Sequence, residues 1–587
     1  MSHSSTKWCS AKSAVILGLL GLAMFSRGVQ AREVSNPANN GVISGSVTAD
    51  QGEVRAFRVK AKDTVHLITY VVFTNGGKYH IYKLPPSTYQ IQVMEKGFDS
   101  PAQTVELKAA DTKTVDLALK ATAARERKVN LVEFDELYPP GKGRDLLQLN
   151  CWGCHGVNGG IAYHQLPKRT EDEWAASVKR MFRVEPAVWP SPTWPSASAG
   201  NAGGYNGANV ITAEEKQTIV KYLAANFGPD SDGTRDLKYD TLVRDESALS
   251  KAVWIQYELP AVDESKTNGL TLARGTHDVT PSHDPRWRGT VWLTEPGSNS
   301  ILALDTTDLD PKTRNKEWVI QDSRANFNAG PNSVVEKNGH VYWAELKGDS
   351  IGDINETTGE MKRFLAPTAS QTMHGITADN LGNVWYASLG GGIVGRMDVE
   401  TKKFTEWQPG NGLGVYYGMR TDQKDRIWVA SSARDMVAMW DPKTQKWTTY
   451  KTPDNIRRLT IDSKGKVWMN EYFANAVTML DPDTGKMTEY KLPLKWGNPY
   501  ESCADKDDNI WLENAAYQSF VRFDPRAKTW TYFPYPEMNA HTPKMEADAD
   551  GTLWSGLTGP GQPKQLTSFK PSGNVPMQNG SVLSGKN

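Results

Sequence analysis

Two cysteines and a histidine lie together in the stretch LNCWGCHGVNGG, residues 149–160. A thioether-linked haem needs two thiols that add to its vinyl groups and a neighbouring imidazole that binds the iron. Cys151, Cys154 and His155 supply these groups. A thioredoxin-like redox pair would need a βαβ setting, and a zinc site would need a second cysteine pair. The sequence offers neither setting, so it predicts a covalently attached haem c.

The iron of such a haem has a second axial position. Met181 is the only methionine between the motif and residue 235, and it ends the helical stretch DEWAASVKRMF. A thioether ligand raises the reduction potential, which suits an electron acceptor. His164 is the alternative ligand, and an iron without a second axial protein ligand is the third possibility. We predict that His155 and Met181 bind the haem iron.

A second set of chemically capable side chains recurs in the C-terminal half. Near the starts of predicted first strands lie His277, His374, Tyr417, Arg457, Tyr500 and His541. The predicted second strands end in Glu295, Glu345 and Glu471, with Ser388 and Ser431 at two equivalent positions. Histidines and glutamates grouped on one rim could bind a divalent metal or act as general acid and base. Solvated rim groups or mutual ion pairs are the alternative, and we predict a catalytic site formed by the three histidines and three glutamates.

A repeat that runs from residue 250 to residue 575 positions these side chains. The aromatic residues in register are Trp292, Tyr342, Trp385, Trp428, Trp468, Trp511 and Trp554. Steps of 50, 43, 43, 40, 43 and 43 residues separate them. Seven such units with four strands each predict a seven-bladed β-propeller. The strand-like stretch AVWIQYELP precedes the first unit and the last unit lacks its final strand, so we expect the two to complete one blade.

Two other segments precede the repeat. Residues 40–120 alternate apolar and polar positions, with NGG at a hairpin turn, which predicts a β-sandwich. Residues 125–235 contain three helical stretches, two of which open with Thr170 and Thr212 as N-caps. The predicted fold is mainly β, with an N-terminal β-sandwich, a small all-α domain and a C-terminal seven-bladed propeller.

The N-terminus has the pattern of an export signal. Lys7 and Lys12 precede the apolar run AVILGLLGLAMF, and VQA at 29–31 supplies small residues before a cleavage point. We expect a signal peptide over 1–31, cleavage after Ala31, and a periplasmic or secreted mature chain without a transmembrane segment. A retained anchor is the alternative, but the run is shorter than the roughly 20 residues that span a bilayer. The net charge of +0 gives no indication of a nucleic-acid partner, and Cys503 is expected as a small buried strand residue.

Three segments resemble known families. The stretch GKYHIYKLPPSTYQIQVMEKGF resembles the carboxypeptidase regulatory-like β-sandwich, and the order helix, CWGCHG, helix, loop, helix resembles a class I cytochrome c domain. The repeats HGITADNLGNVWYAS and KVWMNEYFANAVTMLDPDTGKMTEYKLP resemble the virginiamycin B lyase (streptogramin lyase) family. That family opens a cyclic ester by elimination, using His, Glu and a Mg ion. The resemblance implies these roles for His374 and for Glu295, Glu345 or Glu471, although TLWSGL lacks the glutamate in the last repeat and the lyases have no haem domain.

Three functions are compatible with this sequence. In the first, the propeller binds or oxidises a small-molecule substrate and the haem exchanges electrons with a redox partner protein or another acceptor. In the second, the propeller is a carbon–oxygen lyase or hydrolase with an appended cytochrome. In the third, the chain is a non-enzymatic binding protein. We favour the first because fusion keeps the two domains at high local concentration. Haem c is the predicted cofactor, and a divalent metal at the propeller is a further hypothesis.

Overall fold

We describe the fold from a computed structural model of the 587-residue chain. The structure describes residues 36–122, 129–151, 166–181, 212–266, 273–324, 327–368, 372–389, 392–412, 416–432, 435–454, 456–538, 540–557 and 564–576. The predicted signal peptide lies outside these residues. Within them, no helix is both long enough and apolar enough to cross a membrane.

The N-terminal segment consists of strands that bury alternate side chains. The strands are β1 (Gly41–Ala49), β2 (Arg58–Asp63), β3 (Ile68–Phe73), β4 (Lys78–Leu84), β5 (Ser87–Val93), β6 (Phe98–Asp99), β7 (Gln103–Leu107), β8 (Thr112–Thr114) and β9 (Leu117–Ala121). One sheet has the order β4–β1–β9–β6, with β8 paired to β1, and the other contains β3–β2–β5–β7. In β4, Tyr79 and Ile81 are buried while His80 between them is exposed. The apolar faces share one core, which confirms the predicted β-sandwich.

The middle segment is mostly helical. Its elements are β10 (Asn130–Val132), α1 (Phe134–Leu137), α2 (Lys142–Asn150), α3 (Glu171–Met181), α4 (Ala213–Phe227) and β11 (Arg235–Leu237). We call β10 to β11 the helical segment. β10 and β11 pair in parallel and so hold the two ends of the segment together. A short helix, α5 (Glu246–Leu249), follows before the repeat begins.

Helix capping and one glycine determine how the helices pack. The Thr212 hydroxyl accepts a hydrogen bond from the Glu215 backbone N–H (3.1 Å), and the Glu215 carboxylate accepts one from the Thr212 N–H (2.7 Å). This capping box starts α4 where the sequence predicted it. Helices α2 and α3 both pack on α4. Gly143 allows the close crossing of α2 and α4, because a Cβ at that position would lie 2.4 Å from Tyr222 Cβ.

Antiparallel strands build the C-terminal half. They are β12 (Val253–Glu258), β13 (Val279–Pro281), β14 (Thr290–Glu295), β15 (Ser300–Asp305), β16 (Asn315–Val319), β17 (Pro331–Lys337), β18 (His340–Glu345), β19 (Ser350–Asn355), β20 (Met361–Leu365), β21 (Met373–Ala378), β22 (Val384–Ser388), β23 (Val394–Met397), β24 (Phe404–Trp407), β25 (Tyr416–Thr421), β26 (Ile427–Ser431), β27 (Met436–Asp441), β28 (Lys446–Lys451), β29 (Ile456–Ile461), β30 (Val467–Glu471), β31 (Ala476–Leu480), β32 (Met487–Lys491), β33 (Pro499–Ala504), β34 (Ile510–Asn514), β35 (Ser519–Asp524), β36 (Thr529–Pro534), β37 (Met545–Ala547), β38 (Leu553–Ser555) and β39 (Gln565–Lys570).

The strands form the predicted seven-bladed propeller. In the described part of the chain, six four-stranded sheets follow one another in sequence order, from β13–β16 to β33–β36. The first strand of each blade lies next to the first strand of the following blade around the axis. In the seventh blade, β37 contacts both β33 and β13 and so closes the ring. Cys503 is a buried residue of the first strand β33, as predicted.

The seventh blade also joins the propeller to the sandwich. Strand β12 pairs with β39, with Trp254 opposite Phe569, which confirms that the strand before the first unit completes the last blade. The other edge of β12 pairs with β3 of the sandwich, with Trp254 opposite Val71. The two sheets are therefore one eight-stranded sheet. The sandwich is fixed to the propeller by a continuous backbone ladder, a connection that the sequence analysis did not predict.

A repeated hydrogen bond explains why the register tryptophans recur. The indole N–H donates to an aspartate six residues earlier in the pairs Asp379–Trp385 (3.0 Å), Asp422–Trp428 (2.9 Å), Asp462–Trp468 (3.0 Å), Asp505–Trp511 (2.8 Å) and Asp548–Trp554 (2.9 Å). The same carboxylates accept hydrogen bonds from the turn, as Asp462 does from the backbone N–H groups of Lys464 and Lys466. Each aspartate thus ties the turn between two strands to the core of its blade.

We expect Asp462→Ala to destabilise the propeller. The substitution leaves the buried Trp468 N–H without an acceptor, which typically costs about 1–3 kcal/mol. Asp483→Ala is the matched control, because Asp483 is 63% exposed in a surface pair with Lys424, and such pairs contribute about 0–1 kcal/mol. Calorimetric unfolding of the purified variants gives the midpoints. Equal shifts in the two variants would argue against a structural role for the Asp–Trp bond.

Candidate functional site

The innermost strands of five blades carry a β-bulge at the same place. The pairing register shifts after Pro331, Met373, Tyr416, Ile456 and Pro499. A regular strand points successive side chains to opposite faces, whereas a bulge leaves an extra residue outside the ladder and re-aims its side chain. The residues within the bulges are Asn332 and Ser333, His374 and Gly375, Tyr417 and Gly418, Arg457 and Arg458, and Tyr500 and Glu501. Consecutive residues can therefore both reach the axis.

Three predicted histidines belong to one arc of rings at this end of the axis. We call His277, His374, Tyr417, Arg457, Tyr500 and His541 the axial cluster. The ring centroids are 5.6 Å apart for His277 and His374, 3.8 Å for His374 and Tyr417, and 5.6 Å for Tyr500 and His541. The hydroxyls of Tyr417 and Tyr500 share a hydrogen bond. The arc is continuous from the first blade to the seventh.

Arg457 brings a positive charge to the arc. Its guanidinium carbon lies 4.5 Å from the ring centroid of Tyr500, 5.0 Å from that of Tyr417 and 5.1 Å from that of Tyr472. Cation–π contacts with three rings hold the guanidinium in place. Arg457 is only 7% exposed, and a charge shielded from water acts more strongly on its surroundings. The cluster therefore favours electron-rich or anionic ligands.

Two histidines of the cluster are held in their neutral form. Burial lowers the pKa of His277 and, more strongly, that of His374. The Nδ1 atom of His277 lies 2.8 Å from Asp278 Oδ1, so this nitrogen carries the proton and Nε2 is left as the acceptor. In the described part of the chain, His374 Nδ1 has no hydrogen-bond partner. Both rings can accept a proton from a bound molecule.

We expect the buried His374 to make the stability of the protein depend on pH. Unfolded histidine binds a proton near its ordinary pKa of about 6.5, whereas the buried ring resists protonation until well below that value. Its stabilising contribution is thus complete above the unfolded pKa and is lost as the pH falls through that value. His374→Gln should flatten the fall in thermal midpoint between pH 7.5 and about pH 5.5.

His283→Gln is the control, because the contribution of His283 to stability changes with pH in the opposite direction. A hydrogen bond with Glu336 raises the pKa of His283, so its contribution is present at low pH and disappears as the pH rises through the folded-state pKa. The His283→Gln variant should therefore lose stability mainly on the acidic side. Identical pH slopes in wild type and His374→Gln would show that His374 does not titrate as a buried neutral ring.

Beneath the axial cluster, four buried and two partly buried charges form a closed ring. We call Asp278, Arg420, Arg458, Glu501, Lys544 and Glu546 the charge ring. The nitrogen–oxygen distances around it are Asp278–Arg458 3.7 Å, Arg458–Glu501 3.0 Å, Glu501–Arg420 3.8 Å, Arg420–Glu546 3.4 Å, Glu546–Lys544 3.3 Å and Lys544–Asp278 3.8 Å. Each acid lies between two bases, so the ring is neutral as a whole.

The charge ring determines the electrostatics under the cluster. Burial opposes ionisation of Asp278, but Lys544 and Arg458 hold the pKa of this carboxyl well below its usual range. Burial also raises the pKa of Glu501, and the surrounding bases oppose that rise. The ring also acts on the cluster, because after burial the charge of Arg458 lowers the pKa of His374 more than the charge of Arg457 does.

The three predicted glutamates are buried, and Glu295 and Glu345 are hydrogen-bonded elsewhere. Glu295 accepts hydrogen bonds from the Gly275 backbone N–H (2.8 Å) and the Thr276 hydroxyl. Glu345 receives two hydrogen bonds of 2.7 Å from the Arg363 guanidinium on the outer strand β20. Burial raises the pKa of Glu471, which lies beside Thr478 and Glu489, to about 7.

The predicted rim is therefore two separate sets of residues. The structure brings the three histidines together with Tyr417, Arg457 and Tyr500, and it directs the described hydrogen bonds of Glu295 and Glu345 away from them. Among the described residues, no group of three or more His, Cys, Asp and Glu side chains is arranged to hold a metal ion.

Sequence reasoning missed the charge ring. Its members follow the predicted positions by one, three or five residues, where strand alternation would point them away from the axis. The signal that was available is the pair of adjacent polar residues within an innermost strand, as in Arg457–Arg458 or Tyr500–Glu501. Such pairs break the period of two and indicate a bulge.

A cavity of about 790 Å³ opens at the opposite end of the axis. It is lined by the far ends of β17, β21 and β25 and by the turn after β13. Its charged lining is largely paired internally, as in His283–Glu336 (3.1 Å) and Arg286–Asp284. The axial cluster is the stronger candidate, because it combines neutral buried histidines, a shielded arginine and a hydrogen-bonded tyrosine pair.

The predicted haem motif starts where α2 ends. The Cys151 backbone N–H donates to the Leu147 carbonyl (2.8 Å), and the half-buried Cys151 packs against the helical core. Cys154, His155 and His164 lie outside the described residues. The structure places Met181 at the C-terminal end of α3 and does not describe its side chain. Two thiols, an imidazole and a thioether form a donor set that fits a haem c.

The helical segment is seated on the propeller face that carries the axial cluster. Phe134 stacks on Trp496 with ring centroids 4.3 Å apart, and Phe473 also packs against the helical core. The backbone N–H of Lys495 donates to the Asp240 carboxylate (2.8 Å). These propeller residues lie in the connections of the fifth and sixth blades, at the end where the innermost strands begin.

Comparisons with known proteins find one family match and several similar solved structures. Residues 141–226 match the family model Cytochrome c. A streptogramin B lyase structure aligns over 54% of this chain and 97% of that protein, with 19% identity and a TM-score of 0.46. A catalytically inactive virginiamycin B lyase from Staphylococcus aureus with quinupristin covers 54% of this chain and 99% of its own, with 17% identity and a TM-score of 0.47. No curated protein matches the sequence.

The family match and the blades define the architecture. Residues 141–226 form a small helical cytochrome c domain within a mainly β chain, whose C-terminal half is a seven-bladed propeller. The cytochrome c domain implies covalent haem c, electron transfer and a redox partner, and it is compatible with an exported protein. At these identities the likeness to the lyases concerns the fold and not the chemistry.

Proposed function

We propose that this chain is an exported haem c protein that couples electron transfer to the binding or oxidation of a small substrate at the axial cluster. The observation that carries the proposal is the seating of the helical segment on the cluster-bearing face, through Phe134, Trp496 and Phe473. Electron tunnelling weakens exponentially with distance, so a cytochrome docked at the site is well placed to exchange electrons with it. The propeller is then the substrate domain and the cytochrome is the electron carrier.

In this proposal Cys151 and Cys154 attach the haem, and His155 and Met181 bind its iron. The bound haem supplies one-electron redox chemistry with a potential adjusted by the axial ligands. The helical core around Cys151 limits the access of water to that region. The ferrous form would be re-oxidised by a redox partner protein outside this chain.

The axial cluster would bind the substrate and remove its proton. Arg457 and the tyrosine rings offer a cationic and aromatic surface for an electron-rich or anionic group. His277, oriented by Asp278, has Nε2 available to accept a proton as the substrate loses an electron. His374 and His541 complete the set of proposed catalytic histidines. Glu295, Glu345 and Glu471 support the surrounding strands in this scheme.

The remaining sequence predictions form part of the same proposal. We take the signal peptide as 1–31, the sandwich as 40–120, the cytochrome domain as 125–235 and the propeller as 250–575. The sandwich is proposed to be of the carboxypeptidase regulatory-like type, and the mature protein to act in the periplasm or outside the cell. A divalent metal at the propeller is the least supported element, because the described residues include no cluster suited to it.

Anaerobic visible spectroscopy of the oxidised holoprotein tests the proposed function. Hydroquinones, catechols, thiols and hydroxy acids are added in turn, and haem reduction is followed. We expect at least one class to reduce the haem with saturable kinetics, and Arg457→Met to lose the saturation while keeping the haem midpoint potential. Chelator-sensitive turnover of a cyclic ester without haem reduction would instead identify the lyase, and binding without either signal would identify a binding protein. Metal analysis of the same samples tests the divalent metal.

A further inference from the structure

The turn that follows β30 carries two adjacent aromatic residues, Tyr472 and Phe473. At the equivalent turns of the other blades, the two residues after the second strand are Pro296–Gly297, Leu346–Lys347, Leu389–Gly390, Ser432–Ala433, Ala515–Ala516 and Gly556–Leu557. A blade can therefore form this turn without aromatic side chains. The aromatic pair occurs in the blade on which the helical segment is seated.

The two rings connect the axial cluster to the helical core. The ring centroids of Tyr500 and Tyr472 are 6.2 Å apart, and those of Tyr472 and Phe473 are 5.0 Å apart. Phe473 packs against the helical core, which also receives Cys151 of the haem motif. The contacts run from the cluster through these two consecutive residues to the hydrophobic core against which Cys151 also packs.

Tyr472 is held rigidly at the centre of this connection. It is 2% exposed, and its backbone carbonyl accepts a hydrogen bond from the Asn498 side-chain amide (3.0 Å). The Arg457 guanidinium lies over its ring at 5.1 Å. A fixed ring gives a constant electronic coupling, whereas a mobile side chain would average over poor geometries.

We propose that Tyr472 and Phe473 form the electron path between the axial cluster and the cytochrome domain. This inference depends on the proposed function, because it specifies how the substrate site and the haem communicate. In the loaded protein, one electron would leave the substrate at the cluster and pass through the two rings to the haem held by Cys151 and Cys154. The substrate proton would go to His277 Nε2, which leaves the substrate as a one-electron-oxidised radical, and the redox partner protein would later take the electron from the haem. The two rings bridge the transfer and are unchanged at its end.

The path can be measured without any substrate. His541 has a side chain that is 41% exposed at the edge of the cluster, so His541→Cys offers an attachment point for a ruthenium polypyridyl photoreductant. In the holoprotein the motif cysteines are proposed to be consumed by the haem, and Cys503 is 4% exposed. A laser flash then injects one electron at the cluster, and the rate of haem reduction reports the transfer.

Four variants on the His541→Cys background distinguish electron transfer through the two rings from a general effect of how the domains dock. We expect Tyr472→Leu and Phe473→Leu to slow haem reduction by an order of magnitude or more, and Tyr472→Phe to stay close to the parent rate because the ring is kept. Tyr517→Leu is the matched control, since Tyr517 lies at the same boundary, with Asp240 N–H donating to its hydroxyl (3.1 Å) and its ring 6.0 Å from that of Tyr239. Its rate should not change. The haem midpoint potential and spectrum are recorded for every variant.

Equal rates in all four variants would overturn the path, even if substrates still reduce the haem. Equal slowing by Tyr517→Leu and Tyr472→Leu would overturn it as well, since docking rather than the two rings would then control transfer. If Tyr472→Leu does not fold, Phe473→Leu and Tyr472→Phe decide between these results. Fast photoreduction that depends on Tyr472, combined with no reduction by any substrate, would refute the proposed function and leave the path intact.

Discussion

The double variant Cys151→Ser and Cys154→Ser should be exported as a protein without covalently bound haem. Serine hydroxyls do not add to the haem vinyl groups under the conditions in which thiols do, so both attachment points are lost. Haem-stained denaturing gels and the haemochrome spectrum in alkaline pyridine measure this directly. We expect the signal to fall to background, and every redox property of the chain to disappear with it.

Cys503→Ser is the matched control for the attachment prediction. This residue is buried in β33 of the propeller, far along the sequence from the motif, and should leave the haem content unchanged. Covalent haem in the double variant would contradict the assignment of Cys151 and Cys154. Loss of haem in Cys503→Ser would show that haem attachment depends on the integrity of the propeller rather than on the motif alone.

Arg458→Met should cause the largest loss of stability among single substitutions in the propeller. Arg458 is 3% exposed at its side chain and lies 3.0 Å from Glu501 and 3.7 Å from Asp278. Removing one partner from a buried ion pair leaves uncompensated charge and costs about 3–5 kcal/mol. We expect a marked fall in the thermal midpoint at neutral pH. The loss should be smaller at acidic pH, because protonated Glu501 no longer needs the guanidinium.

Arg526→Met provides the comparison. Arg526 makes an exposed pair with Asp524, at 3.3 Å and with 65% of the arginine side chain accessible to solvent, and such pairs contribute about 0–1 kcal/mol. Thermal unfolding of the two variants across pH distinguishes a buried network from a surface pair. Similar midpoints for Arg458→Met and Arg526→Met would contradict the closed charge ring.

The periodic part of the fold could be predicted from the sequence, because it depends on local patterns. The register aromatic residues recur at nearly fixed spacing, and together with strand β12 before the first unit they predict a closed propeller with seven blades. The pairing of β12 with β3 was not predictable, because the sequence of an edge strand does not identify which other strand will pair with its open edge. The same holds for the seating of the helical segment, which depends on Trp496 and Phe473 in two separate loops.

The candidate site was predicted in part. The first-strand histidines do meet at one end of the axis, since their common position in the repeat places them there. The glutamates of the second strands did not join them in the described contacts, because Arg363 and Thr276 offer nearer partners. The charge ring was missed because a bulge changes which side of the strand each residue faces. The regular alternation of side chains along a strand does not show where such a bulge occurs.

The two ends of the propeller axis differ in what surrounds them. The axial cluster lies at the end covered by the helical segment, and the charge ring fills the axis beneath it with groups that neutralise one another. A substrate at the cluster is thus separated from the cavity at the other end by paired charges. In the proposed scheme, Tyr472 and Phe473 give electrons an aromatic route toward the cytochrome domain.

Stopped-flow reduction of the oxidised holoprotein by hydroquinone, without oxygen, tests whether substrate electrons enter at the axial cluster. We expect the rate of haem reduction to saturate with hydroquinone concentration. We also expect Arg457→Met and His374→Gln to abolish the saturable phase while the haem midpoint potential stays unchanged. A rate that rises linearly with concentration and is the same in wild type and both variants would show that electrons enter at the haem itself. That result would contradict a substrate site at the axial cluster.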